Sequence, residues 1–223
     1  MARKTTLTTT PSARLAMTDE QLEGPVLVAF DFDGTLTVKD SFMAFLRWRA
    51  GAVGYAFGMI RLLPAAIAYL FHRKRGVIKA AAVKVFLKGV PRERLEKDAK
   101  AFAEYIAPVI FRPDALASWR RWRAKGARPV IVTASPDVLV APFARGLGAD
   151  TLIGTELAYD AQGRVTGALL GQNCRGAEKV NRLRAVFGDD MQLAAAYGDT
   201  AGDREMLALA DVKGYRIFKG KSA

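Results

Sequence analysis

A chain of 223 residues, 51% of them hydrophobic, is long enough to bury one good core with a small appended domain. Its one cysteine, Cys174, excludes an intramolecular disulfide and fits a reducing compartment. The net charge of +12 calls for an anionic surface or substrate ahead of nucleic acid, since no nucleic-acid module is legible and the charges flank an apolar block.

Residues 1–24 are rich in Thr, Ser and Ala and lack the apolar centre of a signal peptide; Asp19, Glu20 and Glu23 argue against a transit peptide. They read as a disordered leader. Val26 to Phe30 then reads as a strand buried on both faces, as in a parallel sheet, ending in Asp31-Phe32-Asp33-Gly34-Thr35. Asp31 and Asp33 are two apart, which aims both carboxylates the same way at a strand end. Gly34 permits a sharp turn whose backbone N–H groups suit an anion.

From Asp40 to Val90 the pattern is helical. The stretch from Ser41 to Lys88 holds nine basic residues (Arg47, Arg49, Arg61, Arg73, Lys74, Arg75, Lys79, Lys84 and Lys88) and no Asp or Glu. A basic apolar segment of this kind points to an anionic membrane surface or an anionic substrate. Ala52 to Phe71, 20 residues, matches a bilayer span in length. A single crossing would separate Asp31 from the later motifs, so two helices broken at Pro64, about Ala52 to Leu63 and Ala65 to His72, are expected as a hairpin. His72, the only histidine, reads as a surface residue beside Arg73-Lys74-Arg75.

A helix over 76–88, a charged helix from Pro91 to Ala107, and an amphipathic helix from Asp114 to Lys125 stopped by Gly126 follow. Pro129 to Thr133 is a buried strand leading into Ala134-Ser135, with a helix from Pro136 to Leu147 and Ser135 as its N-cap. Thr151 to Thr155 reads as a short strand, and Glu156 to Leu170 as a hairpin about Asp160-Ala161-Gln162-Gly163. Ala177 to Phe187 is a helix with Lys179 in its first turn. Leu193 to Tyr197 is a strand running into Gly198-Asp199-Thr200-Ala201-Gly202-Asp203. A helix from Asp203 to Ala210 and a last strand from Val212 to Phe218 close the chain. Strands alternating with helices give an α/β fold, a Rossmann-like parallel sheet, with a helical cap inserted after the first strand. The expected division is a core of 25–40 and 109–223 and a cap of 41–108.

The ordered set Asp31-Phe32-Asp33-Gly34-Thr35, Thr133, Lys179 and Asp199 to Asp203 resembles the haloacid dehalogenase-like superfamily of Mg²⁺-dependent phosphohydrolases over residues 26 to 217. Within it, the chain is similar to the branch holding phosphoserine phosphatases and phosphatidylglycerophosphatases. The resemblance implies Asp31 as nucleophile, Asp33 as acid and base, Thr133 as donor to the phosphoryl group and Lys179 as charge compensation. It implies Mg²⁺ held by Asp31, Asp33 (through its backbone carbonyl), Asp199 and Asp203. The residue types agree with it: four carboxylates in one cleft repel one another unless cations intervene.

Asp40 stands where phosphoserine phosphatases carry a Glu, and is one methylene shorter. Val83 falls at their cap Arg, with Lys84 adjacent. The substrate-binding set is accordingly Asp40, Thr133, Ser135 and Lys84. The acid-free cap favours a lipid phosphate over phosphoserine, at a cytoplasmic location peripheral to the inner face of the membrane. The competing readings are a soluble helical lid with its apolar faces inward, a phosphotransferase to an alcohol, and a non-catalytic binding protein on the same fold.

Overall fold

The computed structural model of the chain describes residues 26–72 and 75–221. The expected leader and residues 73–74 of the basic run lie outside the described residues, as do the side chains of 68–76, that of His72 among them.

Six strands, β1 (Leu27–Phe30), β2 (Arg128–Pro136), β3 (Thr151–Tyr159), β4 (Val165–Leu170), β5 (Leu193–Gly198) and β6 (Ala210–Tyr215), form one sheet in the order β4-β3-β2-β1-β5-β6. All neighbours are parallel except β3 and β4. β1 is central, and its alternating side chains feed two cores. Val28 and Phe30 join the larger one with the inserted helices; Leu27 and Ala29 join the smaller one on the other face.

The helices are α1 (Ser41–His72), α2 (Arg75–Leu87), α3 (Arg92–Ile110), α4 (Pro113–Ala124), α5 (Asp137–Leu147), α6 (Ala177–Phe187) and α7 (Arg204–Ala208). The first three are inserted between the adjacent strands β1 and β2, so the chain leaves the sheet and returns to the same side of it. Phe42, Phe45, Val83, Leu87 and Leu95 of this insertion share one apolar cluster with Phe30 and Ile131 of the sheet. α3 passes the boundary expected at 108 and ends at Ile110, with Pro108 inside it.

The expected break at Pro64 is not where the chain turns. α1 continues through Pro64 and departs from helical geometry at Gly51, at φ 68° and ψ 172°. A proline removes one intrahelical bond and bends a helix, whereas a glycine can reverse φ outright. The hairpin forms between α1 and α2 instead of within residues 52–72. Tyr55 stacks on Phe86 at 5.8 Å, and Gly58 lies so close to the Phe86 ring that a Cβ there would collide with it.

Thr151 to Thr155 and the first arm of the expected hairpin prove to be one strand, β3: its pairing with β2 reaches Thr155 across a register shift, and its pairing with β4 begins at the next residue, Glu156. The turn at 160–163 is as expected, with the Gly163 N–H donating to the Asp160 carbonyl at 2.9 Å. The last helix is shorter than read: a turn of 3₁₀ helix at Ala201–Asp203 leads into α7, and β6 starts two residues earlier than Val212.

Candidate active site

Phe30 pairs with Ile131 of β2 and Tyr197 of β5. Asp31 and Asp199, just beyond β1 and β5, therefore come together with Thr133 in the carboxyl-terminal half of β2, on either side of the point where strand order reverses. The Asp31 N–H donates to the Tyr197 carbonyl at 2.9 Å and fixes the strand exit. A wide helical turn over Phe32–Leu36 follows, opened by Gly34 at φ 82°. Any Cβ at Gly34 would collide with the Asp199 carboxylate, so the glycine is needed for both its dihedral and its size.

Lys179, in the first turn of α6, is 1% exposed. Its ammonium donates to Asp31 Oδ1 at 2.6 Å, Asp203 Oδ1 at 2.7 Å and the Val132 carbonyl at 2.6 Å, so its three protons meet three acceptors. Burial alone would strip its proton; the two carboxylates outweigh burial and hold it above the ordinary lysine value. Asp203 also accepts at Oδ2 from the Thr200 N–H and hydroxyl, both at 2.9 Å. Burial pushes Asp203 up, but Lys179 and these donors carry it below the usual carboxylate value. Asp31 goes the other way: burial, against the pull of Lys179, lifts it to about 7.

Carboxylate oxygens of Asp31, Asp199 and Asp203 lie within 4.8 Å of one another. Asp199 is raised by burial and by the charge of Asp203. Its buried Oδ1 finds no hydrogen-bond partner among the described residues. Three hard-oxygen donors, one of them unpartnered, against a single bridging ammonium make a set that can hold a divalent metal, and Mg²⁺ fits it.

Asp33 stands apart from that cluster. Its Oδ1 accepts from the Ser41 N–H and its Oδ2 from the Ser135 hydroxyl, both at 2.6 Å. Burial and the charge of Asp40 raise it. Ser135 is thus not the cap of α5. β2 runs on to Pro136, which occupies the N-cap position without a side-chain cap bond, and the serine hydroxyl is turned to Asp33. The Thr133 hydroxyl oxygen accepts from the Ser135 N–H at 3.0 Å, which leaves its own proton free. Asp40 lines the cavity while its Oδ1 accepts from the Met43 N–H at 2.8 Å, capping α1.

Lys84 does not reach the site. It is exposed on α2, with its backbone against Gly167. The cap cation in the cavity is Lys79, whose ammonium donates to the Ala134 carbonyl. Burial lowers Lys79, opposed by Asp33, Asp40 and Asp31. Sequence reasoning also passed over Arg175, which donates to the Thr200 hydroxyl at 3.2 Å and lines the cavity; only its nearness to Lys179 in the chain pointed to it. The cavity, of about 450 Å³, has a polar floor of Asp31, Asp33, Thr133, Lys179 and Asp203 and a cap-side wall of Phe42, Met43, Ile78 and Ala82. A buried carboxylate beside a second carboxyl group, with cationic compensation, can do nucleophilic and acid–base chemistry at one centre.

The family pattern of haloacid dehalogenase-like hydrolases matches residues 28–208. Protein CicA of Caulobacter vibrioides (strain NA1000 / CB15N) is 63% identical over 223 residues, covering 100% of both chains. A solved protein of unknown function from Bordetella pertussis Tohama I shares the fold at a TM-score of 0.65 and 23% identity, over 82% of this chain and 86% of that one. A phosphoserine phosphatase with a phospho-aspartyl intermediate analogue does so at 0.56 and 22%, over 85% of each. The family match runs from β1 through α7 and so takes in each of the carboxylates and the lysine gathered at the strand ends; this chain belongs to the haloacid dehalogenase-like hydrolases.

Proposed function

We propose that the chain hydrolyses phosphomonoesters through an aspartyl phosphate on Asp31, with Mg²⁺, and that its substrate is an anionic amphiphile of the lipid-phosphate class, such as phosphatidylglycerophosphate. The observation that supports this best is Lys179 bridging Asp31 and Asp203 while a buried Asp199 oxygen is left unpartnered. In this reading residues 41–108 are a cap over a core of 25–40 and 109–223.

Lys179 holds Oδ1 of Asp31, leaving Oδ2 to attack phosphorus. As the new bond forms, the bond to the leaving oxygen breaks and that oxygen takes the proton of Asp33. The raised value of Asp33 suits an acid that must arrive protonated. Asp33 then takes a proton from water, whose oxygen attacks the same phosphorus and frees Asp31 and inorganic phosphate. Thr133 offers its free proton to a phosphoryl oxygen. Mg²⁺, when held by Asp31, Asp199, Asp203 and the Asp33 backbone carbonyl, supplies neutralisation of phosphoryl charge.

The cavity supports this substrate class, with an apolar cap-side wall and one cation, Lys79, beside it. Asp40 supports a second reading. A carboxylate and Lys79 at one mouth are placed to meet the ammonium and carboxylate of a small amino phosphomonoester such as phosphoserine. A Mg²⁺-supplemented panel of lipid phosphates and phosphoserine separates the two. Lipid-phosphate turnover is expected to dominate, and brisk phosphoserine hydrolysis without it refutes the first reading. Asp31→Asn is expected to lower kcat by about 10⁴-fold or more while keeping the fold. A folded variant with the wild-type rate removes the nucleophile.

A further inference from the structure

The distal part of α1 is apolar on two opposite faces, and the protein covers only one of them. Tyr55, Gly58 and Leu62 turn toward α2 and the core. On the reverse side Val53, Phe57, Ile60, Leu63 and Ile67 are 55–69% exposed. Their spacing of three and four places them on one stripe. The helix from Ser41 to Ile67 is long and apolar enough to cross a bilayer by length and composition, yet only 11% of its most apolar stretch is buried. A stripe of this size facing water calls for an apolar partner.

We infer that this outer face of α1 is a docking surface for an anionic lipid bilayer. Charge selects that occupant. The segment from Ser41 to Lys88 carries nine basic and no acidic residues; Arg61 flanks the stripe, and Lys84 on the companion helix and Lys88 just past its end are exposed. A second copy would set the same cationic segment against itself, whereas acidic headgroups complement it. The helix lies in the interface and does not cross it. Thr37 bridges Phe111 and the Val38 N–H donates to the Ile110 carbonyl, so the chain that leaves toward α1 returns through α2 and α3 to the place it left. α2 contributes Ile78, Lys79 and Ala82 to the cavity. The bilayer contact and the catalytic cleft are therefore neighbours on one hairpin, and the further step that a membrane presents the substrate rests on the phosphatase reading above.

The test is flotation of the full chain with vesicles of equal parts phosphatidylcholine and phosphatidylglycerol, and with phosphatidylcholine alone. The chain is expected to float with the anionic vesicles at low salt, to be released as salt rises, and to stay behind with the neutral ones. Phe57→Glu with Ile60→Glu, on an exposed face, is expected to cut binding about tenfold or more with an unchanged circular dichroism spectrum and an unchanged rate on p-nitrophenyl phosphate. Arg61→Glu with Lys84→Glu gives a second readout: weaker flotation with a shallower dependence on salt. A wild-type chain that remains at the bottom at low salt overturns the inference, as does a double glutamate variant that floats as well as wild type. So does a wild-type dimer, sized by light scattering, that the same variant converts to monomer. Flotation needs no turnover, so a chain that floats but hydrolyses nothing refutes the proposed reaction and leaves the docking surface standing.

Discussion

Lys79 and Lys84 stand on the same helix five residues apart, about 140° around its axis. That phase difference puts one ammonium in the cavity and the other in solvent. Both are legible as basic residues of an acid-free segment. Which one turns inward is not, because Ala80-Ala81-Ala82 gives the helix no strong apolar stripe until Val83 and Leu87 reach the core. The geometry predicts that Lys79→Met raises KM for an anionic substrate by about ten- to a hundredfold, the loss of one charge-assisted hydrogen bond. Lys84→Met is expected to leave KM unchanged. Steady-state kinetics on the two variants check this, and equal effects would refute the placement of Lys79. The proposed catalytic set was easier to read, since Asp31, Thr133, Lys179 and Asp199 each sit near the end of a buried strand or the start of a helix, where polar side chains interrupt an apolar run.

At the scale of elements, the same logic explains what could be read and what could not. β1, β2 and β5 announce themselves as short apolar runs bounded by polar residues, and burial on both faces leaves little freedom in where they go. The course of α1 depends on which of its breakers acts. Pro64 is a strong local signal and Gly51 a weak one, yet the helix is interrupted at Gly51, where a glycine can reverse φ, and runs on through Pro64. Two other glycines of α1 make opposite predictions. Gly54 has ordinary space around it, with the nearest atom, the Ala50 Cβ, 3.5 Å from where a Cβ would go. Gly54→Ala is expected to stabilise by up to about 1 kcal/mol through helix propensity. Gly58 abuts the Phe86 ring that Tyr55 stacks on. Gly58→Leu gains a similar propensity but overpacks the helix contact, for a net loss of about 1–3 kcal/mol, or roughly 2–4 °C of Tm per kcal/mol in a chain of this size. Thermal denaturation followed by circular dichroism measures both, and a stabilised Gly58→Leu would refute the close helix contact.

For the whole molecule, the acidic cluster predicts that stability depends on metal. Asp31 lies after the first strand, and Asp199 and Asp203 lie after the fifth, so their convergence exists only in the folded chain. A cation bound there favours the native state by mass action. At a free Mg²⁺ concentration one hundred times its Kd the gain is about 2.7 kcal/mol, which corresponds to a rise in Tm of roughly 5–10 °C. Asp199→Asn is expected to split this response by sign. Asp199 ionises less readily in the fold than in the open chain, because burial and Asp203 oppose its charge, so near neutral pH that charge opposes folding in the metal-free protein. The neutral amide removes the repulsion, and the metal-free variant is expected to melt at or slightly above the wild type. With Mg²⁺ the order inverts, since the variant lacks the carboxylate charge and loses most of the shift. Melting curves of both proteins in EDTA and in excess Mg²⁺ read this directly. A wild-type Tm indifferent to Mg²⁺, or a variant that gains as much as the wild type, would show that the three carboxylates do not hold the ion.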